Sequence, residues 1–176
     1  MTEILLGVTG GIAAYKSAAI VSWLVQEGYG VTVVMTATAI KLVAPKTFEA
    51  LSGRPVQFDP FQSDRIHTHI ELARAADIFC VAPATANILG KAANGIADDL
   101  LSSLLLSFDG SILFAPAMNP TMWSNPAVQR NVKRLLEDGA TIIDPEPGRV
   151  SCGEEGIGRM ADPETIIRAI KEAGLK

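Results

Sequence analysis

Apolar residues in this chain fall into two kinds of segment: short unbroken runs, and longer stretches where they recur at helical spacing. Residues 4–9 form a run ended by Gly10-Gly11. The stretch that follows places Ile20, Trp23 and Leu24 on one face and Gly28 where a helix would stop, so strand, glycine turn and helix are predicted in that order. Residues 31–36 are a second β-branched run. Residues 37–51 read as largely helical with an interruption at Pro45, and residues 54–58 as a short third strand. Residues 69–77 carry helix formers and lead into the apolar strand 78–82, closed by Pro83. Residues 84–108 read as two helices divided near Asn94-Gly95, and 112–115 as a buried strand closed by Pro116. Asn125-Pro126 opens a helix with Asn as N-cap and Pro at N1. Its buried face is Val128, Val132, Leu135 and Leu136, and Gly139 is its stop. A final strand over 141–144 and a helix opened by Asp162-Pro163, with Ile166, Ile167 and Ile170, complete the pattern.

Strands alternating with helices predict an α/β sandwich around a mainly parallel sheet, joined by right-handed crossovers. Ligands of such sheets collect beyond the carboxyl ends of the strands. The segments to read for chemistry are therefore those just after each strand: 9–16, 36–38, 83–87, 116–123 and 145–160.

Composition narrows the classes of function. A length of 176 residues, 48% hydrophobic and 19% charged, predicts one domain over 1–176 with a real core. No apolar run approaches the roughly 20 residues of a membrane span, and the N-terminal segment has no export signal, so a cytoplasmic location is expected, with no membrane partner. A net charge of −4 without a Lys/Arg cluster argues against nucleic acid and for small-molecule chemistry. The two cysteines, Cys80 and Cys152, have no C-x-x-C spacing, and a disulfide framework is not indicated.

The turn Thr9-Gly10-Gly11-Ile12-Ala13-Ala14-Tyr15-Lys16 can bring backbone N–H groups close to a phosphate at a helix N-terminus, or it can be a plain tight turn. It has neither G-x-G-x-x-G nor a P-loop ending, which disfavours dinucleotides and nucleoside triphosphates and leaves a mononucleotide such as FMN open. His69 is placed as a general base or as a structural histidine. Its neighbour His67 suggests a metal, but no acidic ligand set has a matching spacing and no metal is expected. Asn119, directly after a strand, offers an amide that can orient a carboxylate, while Met118, Met122 and Trp123 suit packing or a pocket equally. Cys152 lies in a segment rich in glycine, either a mobile lid carrying a proton-donating thiol or an ordinary exposed loop. Cys80, inside an apolar run, reads as core.

Five of these segments in this order resemble the flavin-containing cysteine decarboxylase family, and within it the phosphopantothenoylcysteine decarboxylases. They are Gly10 with Gly11 through Lys16, His69-Ile70-Glu71-Leu72 before Ala76-Asp77, Pro83-Ala84-Thr85-Ala86-Asn87, the P-x-M-N-x-x-M-W stretch from Pro116 to Trp123, and Cys152-Gly153. The resemblance covers nearly the whole chain and implies a flavodoxin-like (Rossmann-like) three-layer fold that binds FMN across the subunits of a homotrimer, often assembled into a dodecamer. It assigns FMN contacts to Gly11, Ile12, Ala13, Thr36, Thr38, Thr85, Ala86, Asn87, Ile88 and Ala117. His69 would be the base, Asn119 with Met122 would meet the substrate, and Cys152 on a flap at about 145–160 would donate the last proton. The implied reaction oxidises the substrate's thiol-bearing carbon to a thioaldehyde, releases CO2 to give an enethiol, and reduces that enethiol to phosphopantetheine, a step of coenzyme A synthesis. The family's P-A-S-A-N-T reads here with Thr85 in place of Ser and Ile88 in place of the final Thr, so one hydroxyl toward FMN is missing. A phosphopantothenoylcysteine synthetase, fused or separate, is the implied partner. The rivals are a peptidyl-cysteine decarboxylase of the lantibiotic type, disfavoured by Cys152, and a non-catalytic regulatory relative, disfavoured by the joint presence of His69, Asn119 and Cys152.

Overall fold

The computed structural model describes residues 1–59, 68–149 and 153–175; His67 and Cys152 lie outside them, as does the side chain of His69. Strands β1 (Glu3–Val8), β2 (Gly30–Met35), β3 (Ile78–Ala84), β4 (Ser111–Pro116) and β5 (Thr141–Ile142) form one parallel sheet in the order β2-β1-β3-β4-β5. This is the doubly wound, flavodoxin-like order. The chain moves outward from β1 to β2 and then crosses back over β1 to β3, so the switch point lies between the carboxyl ends of β1 and β3.

Alternate residues of each central strand enter different cores, which is why these strands read as unbroken apolar runs. Ile4, Leu6 and Val8 of β1, with Ile78, Cys80 and Ala82 of β3, pack with Ile20, Val21 and Leu24 of helix α1 (Ala14–Gln26). Phe48 of α2 (Pro45–Ser52) and Ile166, Ile167 and Ile170 join the same core. On the opposite face, Leu5, Phe79, Val81 and Phe114 meet helices α3 (Thr68–Ala75), α4 (Ala86–Ala93) and α5 (Leu100–Ser107). Phe79 and Phe108 meet edge to face there, with ring centroids 5.6 Å apart. Burial pushes the Cys80 thiol up to about 12, so it stays neutral and serves as a core residue. Among the described residues no helix is long and apolar enough to cross a membrane.

Several boundaries differ from the sequence expectation for identifiable reasons. Pro45 starts α2 instead of interrupting a helix, since its missing N–H falls where none is needed. Residues 54–58 contribute only an isolated bridge from Gln57 to Val34. Leu136, on helix α7 (Pro126–Glu137), is 52% exposed, and only Val128, Val132 and Leu135 of the expected face are buried. Strand β3 runs past Pro83, whose carbonyl accepts from the Thr9 hydroxyl at 2.6 Å, while the Ser17 hydroxyl serves the Ala82 carbonyl at 2.6 Å. The segment read as a loop over 145–160 contains an antiparallel hairpin, β6 (Glu146–Arg149) with β7 (Glu155–Arg159). The remaining helices are a 3-10 turn (Ala39–Lys41), the four-residue α6 (Pro120–Trp123) and the eleven-residue last helix α8 (Pro163–Ala173).

Two half-exposed carboxylates set the acid limit of this fold. Arg54 hydrogen-bonds Glu3 and holds its carboxyl below the usual 4.5. Burial opposes ionisation of Asp99, but hydrogen bonds from Lys91 and from Ser102 outweigh it and keep that carboxyl below 3.8. A depressed carboxyl pKa contributes stability above its ordinary value and loses it as the pH falls through the folded-state value. The melting temperature is therefore expected to fall once the pH drops below about 4. Asp99→Asn keeps the N-cap but should flatten that fall. Thermal unfolding across pH 7 to about 2.5 checks this: equal slopes for both proteins would remove Asp99 from the account.

Candidate functional site

The carboxyl ends of β1, β3 and β4 open into a cavity of about 820 Å³, within the size range of cofactor sites. Its lining brings together Gly11, Ile12 and Ala13 after β1, Thr85 and Ala86 after β3, and Ala117, Asn119 and Met122 after β4. These eight residues are expected site residues from three separate segments of sequence. Thr36, Thr38, Asn87 and Ile88 are not in the lining. The Thr36 hydroxyl accepts from the Ala39 N–H at 3.3 Å, and Thr38 packs on Gly10, where any Cβ would overlap the Thr38 side chain. The Ile88 side chain is fully buried in the core beneath α4, so only its backbone N–H is placed to reach a ligand at the helix start.

Helices α1 and α4 both point their N-termini at this cavity, and neither has a side-chain cap from its N-cap residue, Ala13 or Thr85. Helices α5 and α7, elsewhere in the molecule, are capped by Asp99 and Asn125. Thr9 ties the two open ends together: its hydroxyl accepts from the Thr85 N–H at 3.2 Å while donating to Pro83. Uncapped N-termini carry free N–H donors and partial positive charge, which suits phosphate or another electron-rich group.

Asn119 sits where the last of these strands turns. Its Oδ1 accepts from the Met122 N–H at 3.0 Å as the N-cap of α6, and its Nδ2 donates to Glu154 Oε2 at 2.6 Å. The amide thus donates to a carboxylate, the kind of group an uncharged amide can hold by hydrogen bonding. The hairpin brings that carboxylate in: the Met118 N–H donates to the Gly158 carbonyl at 2.9 Å, and Gly156 lies against Pro120 so closely that a Cβ would stand 2.8 Å from its ring. Gly156 and Gly158 therefore serve close packing onto the Asn119 segment.

The rest of the lining is Gly10 and Met118, which lie in segments the sequence singled out, and Tyr15, Lys16, Arg149, Gly158, Arg159 and Met160, to which it gave no role in the site. Lys16 pairs with Asp162 at 3.2 Å. Arg159 binds Glu146 at 2.6 Å, and that hydrogen bond raises its pKa further. The signal that could have found the arginines is the repeated pair Gly148-Arg149 and Gly158-Arg159 within the glycine-rich segment after the last strand of the main sheet. A second cavity of about 370 Å³ is lined by Lys91, Phe108, Gly110 and Leu135, and Lys91 is already paired with Asp98 and Asp99.

Known proteins resemble this chain in sequence and in fold. The chain is 48% identical over 168 residues to the coenzyme A biosynthesis bifunctional protein CoaBC of Bacillus subtilis strain 168, covering 94% of this chain but 41% of that protein. The chain thus spans about two fifths of the length of that relative. A solved PPC decarboxylase mutant complexed with pantothenoylaminoethenethiol superposes with a TM-score of 0.89 at 31% identity, over 99% of both chains. The FMN-dependent cysteine decarboxylase SpaF superposes with a TM-score of 0.85 at 35% identity, over 99% of this chain and 98% of its own. The family model described as Flavoprotein matches residues 1–174, and the chain belongs to that family.

Proposed function

We propose that residues 1–176 act as one FMN-dependent decarboxylase domain that converts phosphopantothenoylcysteine to phosphopantetheine in coenzyme A synthesis. The observation that carries this reading is the position of Asn119, holding a carboxylate on its amide at the rim of the cavity that Gly11–Ala13 and Thr85–Ala86 line. FMN fits the donors present: two uncapped helix N-termini for its polar groups and an opening flanked by Ile12, Ala13, Ala86 and Met122 for its ring. Bound there, FMN supplies reversible two-electron chemistry to the substrate's thiol-bearing carbon.

The chain's own groups do the rest. Gly11, Ile12, Ala13, Thr85, Ala86 and Ala117 hold the cofactor, with Thr36, Thr38, Asn87 and Ile88 supporting its edge. Asn119 and Met122 orient the substrate so that its carboxylate, which must displace Glu154, is fixed for loss as CO2. His69 takes the proton and Cys152 returns one to the product carbon, the roles the family resemblance gives them. Ile12, Tyr15 and Met122, at 60%, 63% and 47% exposed, leave apolar surface at the mouth of the site, which supports closure by a neighbouring subunit in a homotrimer or a dodecamer of trimers. The word bifunctional in the relatives' name supports a phosphopantothenoylcysteine synthetase as the partner, fused or separate, and a cytoplasmic setting follows from that pathway.

The test is an absorbance spectrum of the purified protein followed by mass spectrometry of its product from phosphopantothenoylcysteine. A flavin spectrum with phosphopantetheine as product is expected. Release of the enethiol would instead move the chain to the peptidyl-cysteine branch, and a protein with neither flavin nor turnover would be a non-catalytic relative.

A further inference from the structure

Thr9, Ser17 and Ser102 are the buried polar side chains among the described residues. Ser102 closes the capping box of α5 with Asp99. The other two converge on one bend of β3, where the Ser17 hydroxyl donates to the Ala82 carbonyl and the Thr9 hydroxyl to the Pro83 carbonyl, each at 2.6 Å. That bend lies between ladders: the pairing of β3 with β1 runs to Val81 beside Gly7, and its pairing with β4 shifts register between Val81 and Ala84. A buried carbonyl outside a ladder needs another donor, and a buried hydroxyl needs a partner of its own, so each pair satisfies both.

The bend carries α4. Thr9 also accepts from the N–H of Thr85, the N-cap residue, so one buried oxygen bonds β3 on one side and the helix start on the other. The ladder of α4 begins with the Leu89 N–H on the Thr85 carbonyl, which leaves the N–H groups of residues 86–88 ahead of it. Two residues after Thr9, Gly11 begins the turn into α1, and a Cβ there would stand 3.5 Å from the side chains of both Pro83 and Thr85. The two uncapped helix starts are thus in contact, and their relative placement runs through Thr9. We infer that Thr9 is a positioning residue for the cofactor, with Ser17 behind it. The two hydroxyls hold the N-terminus of α4 against that of α1 so that both sets of N–H groups meet one phosphate, and they thereby set the preference for FMN over riboflavin. This rests on the FMN reading above. Neither side chain lines the cavity, so the effect passes through the backbone they fix.

The test compares wild type with Thr9→Val, Thr9→Ser and Ser17→Ala. Each protein is loaded with FMN or with riboflavin, and the dissociation constant is read from flavin fluorescence on dilution, beside a thermal melt of the loaded protein. Thr9→Val keeps the branched shape and removes the hydroxyl. It should lower the ratio of the riboflavin to the FMN dissociation constant roughly tenfold, the factor of one hydrogen bond to a charged group. Thr9→Ser should keep the wild-type ratio, and Ser17→Ala should lower it in the same direction as Thr9→Val. A loss of packing alone weakens both flavins alike, since they share ring and ribityl chain, and leaves the ratio unmoved. A wild-type ratio in Thr9→Val, whatever its melting temperature, overturns the inference. So does a ratio lost equally in Thr9→Ser, which would assign the effect to the methyl group. Should Thr9→Val fail to fold, Ser17→Ala decides in its place by the same ratio. A wild type that holds riboflavin as tightly as FMN overturns the inference alone, and one that holds neither flavin overturns the FMN reading with it.

Discussion

Asn119→Asp is expected to lower kcat/KM for the cysteine substrate on the order of 10²-fold while leaving the fold in place. The two atoms of the amide do different jobs. Oδ1 caps α6 by accepting from the Met122 N–H, and an aspartate caps equally well, so the turn after β4 survives. Nδ2 is the donor that holds a carboxylate, now Glu154 at 2.6 Å and in turnover the substrate's. Aspartate replaces that donor with a second negative charge, which repels both carboxylates. Steady-state kinetics beside a thermal melt separate the two jobs. A normal melting temperature with the activity lost is the expected pair, and near-normal activity would remove Asn119 from substrate binding. Asn119→Ala should lose cap and donor together and lower both readouts.

Much of the fold was legible because parallel strands covered on both faces leave a plain trace. The run over 78–82 became β3, and the helices on either side of Asn94-Gly95 became α4 and α5. Pro and Asn at 125–126 marked the start of α7 for the reason given by their chemistry, a side-chain acceptor followed by a residue with no N–H. The rule that ligands gather beyond the strand ends located Gly11–Ala13, Thr85–Ala86 and Ala117–Asn119, which meet in one cavity although they are far apart in sequence.

What escaped depends on contacts between distant segments. Leu136 has the spacing of a core residue but faces outward, since the sheet ends at the short β5 and offers little to cover it. The Ile88 side chain enters the core, and the lining on this side comes from Thr85 and Ala86, a division of α4 that its sequence does not display. Arg149 and Arg159 reach the cavity because a hairpin folds onto a loop that lies about thirty residues earlier in the chain, and Lys16 reaches it from the first turn of α1. Glycine in that hairpin was read as freedom. Its physical content is proximity.

That proximity yields the second large effect: Gly158→Ala should release the hairpin from the site. A Cβ at position 158 would overlap the Met118 carbonyl oxygen, with Asn119 backbone carbon at 3.3 Å, so the obstacle is main chain and no side-chain rotation relieves it. The hairpin must lift instead, which costs the Met118 N–H bond to Gly158 and the Asn119 bond to Glu154, and carries Arg149 and Arg159 off the cavity. Overpacking of this kind costs about 1–3 kcal/mol, and for a chain of this size that lowers the melting temperature by roughly 2–12 °C. The main cost should fall on turnover, on the order of tenfold or more, because groups that must meet the substrate are displaced by a large fraction of an ångström. Hydrogen exchange read by mass spectrometry locates the change: amides of 146–149 and 155–159 should exchange faster while those of β1 and β3 keep wild-type protection. Wild-type exchange in the hairpin together with wild-type turnover would mean that β7 accommodates the methyl group and does not need its close seat on Met118.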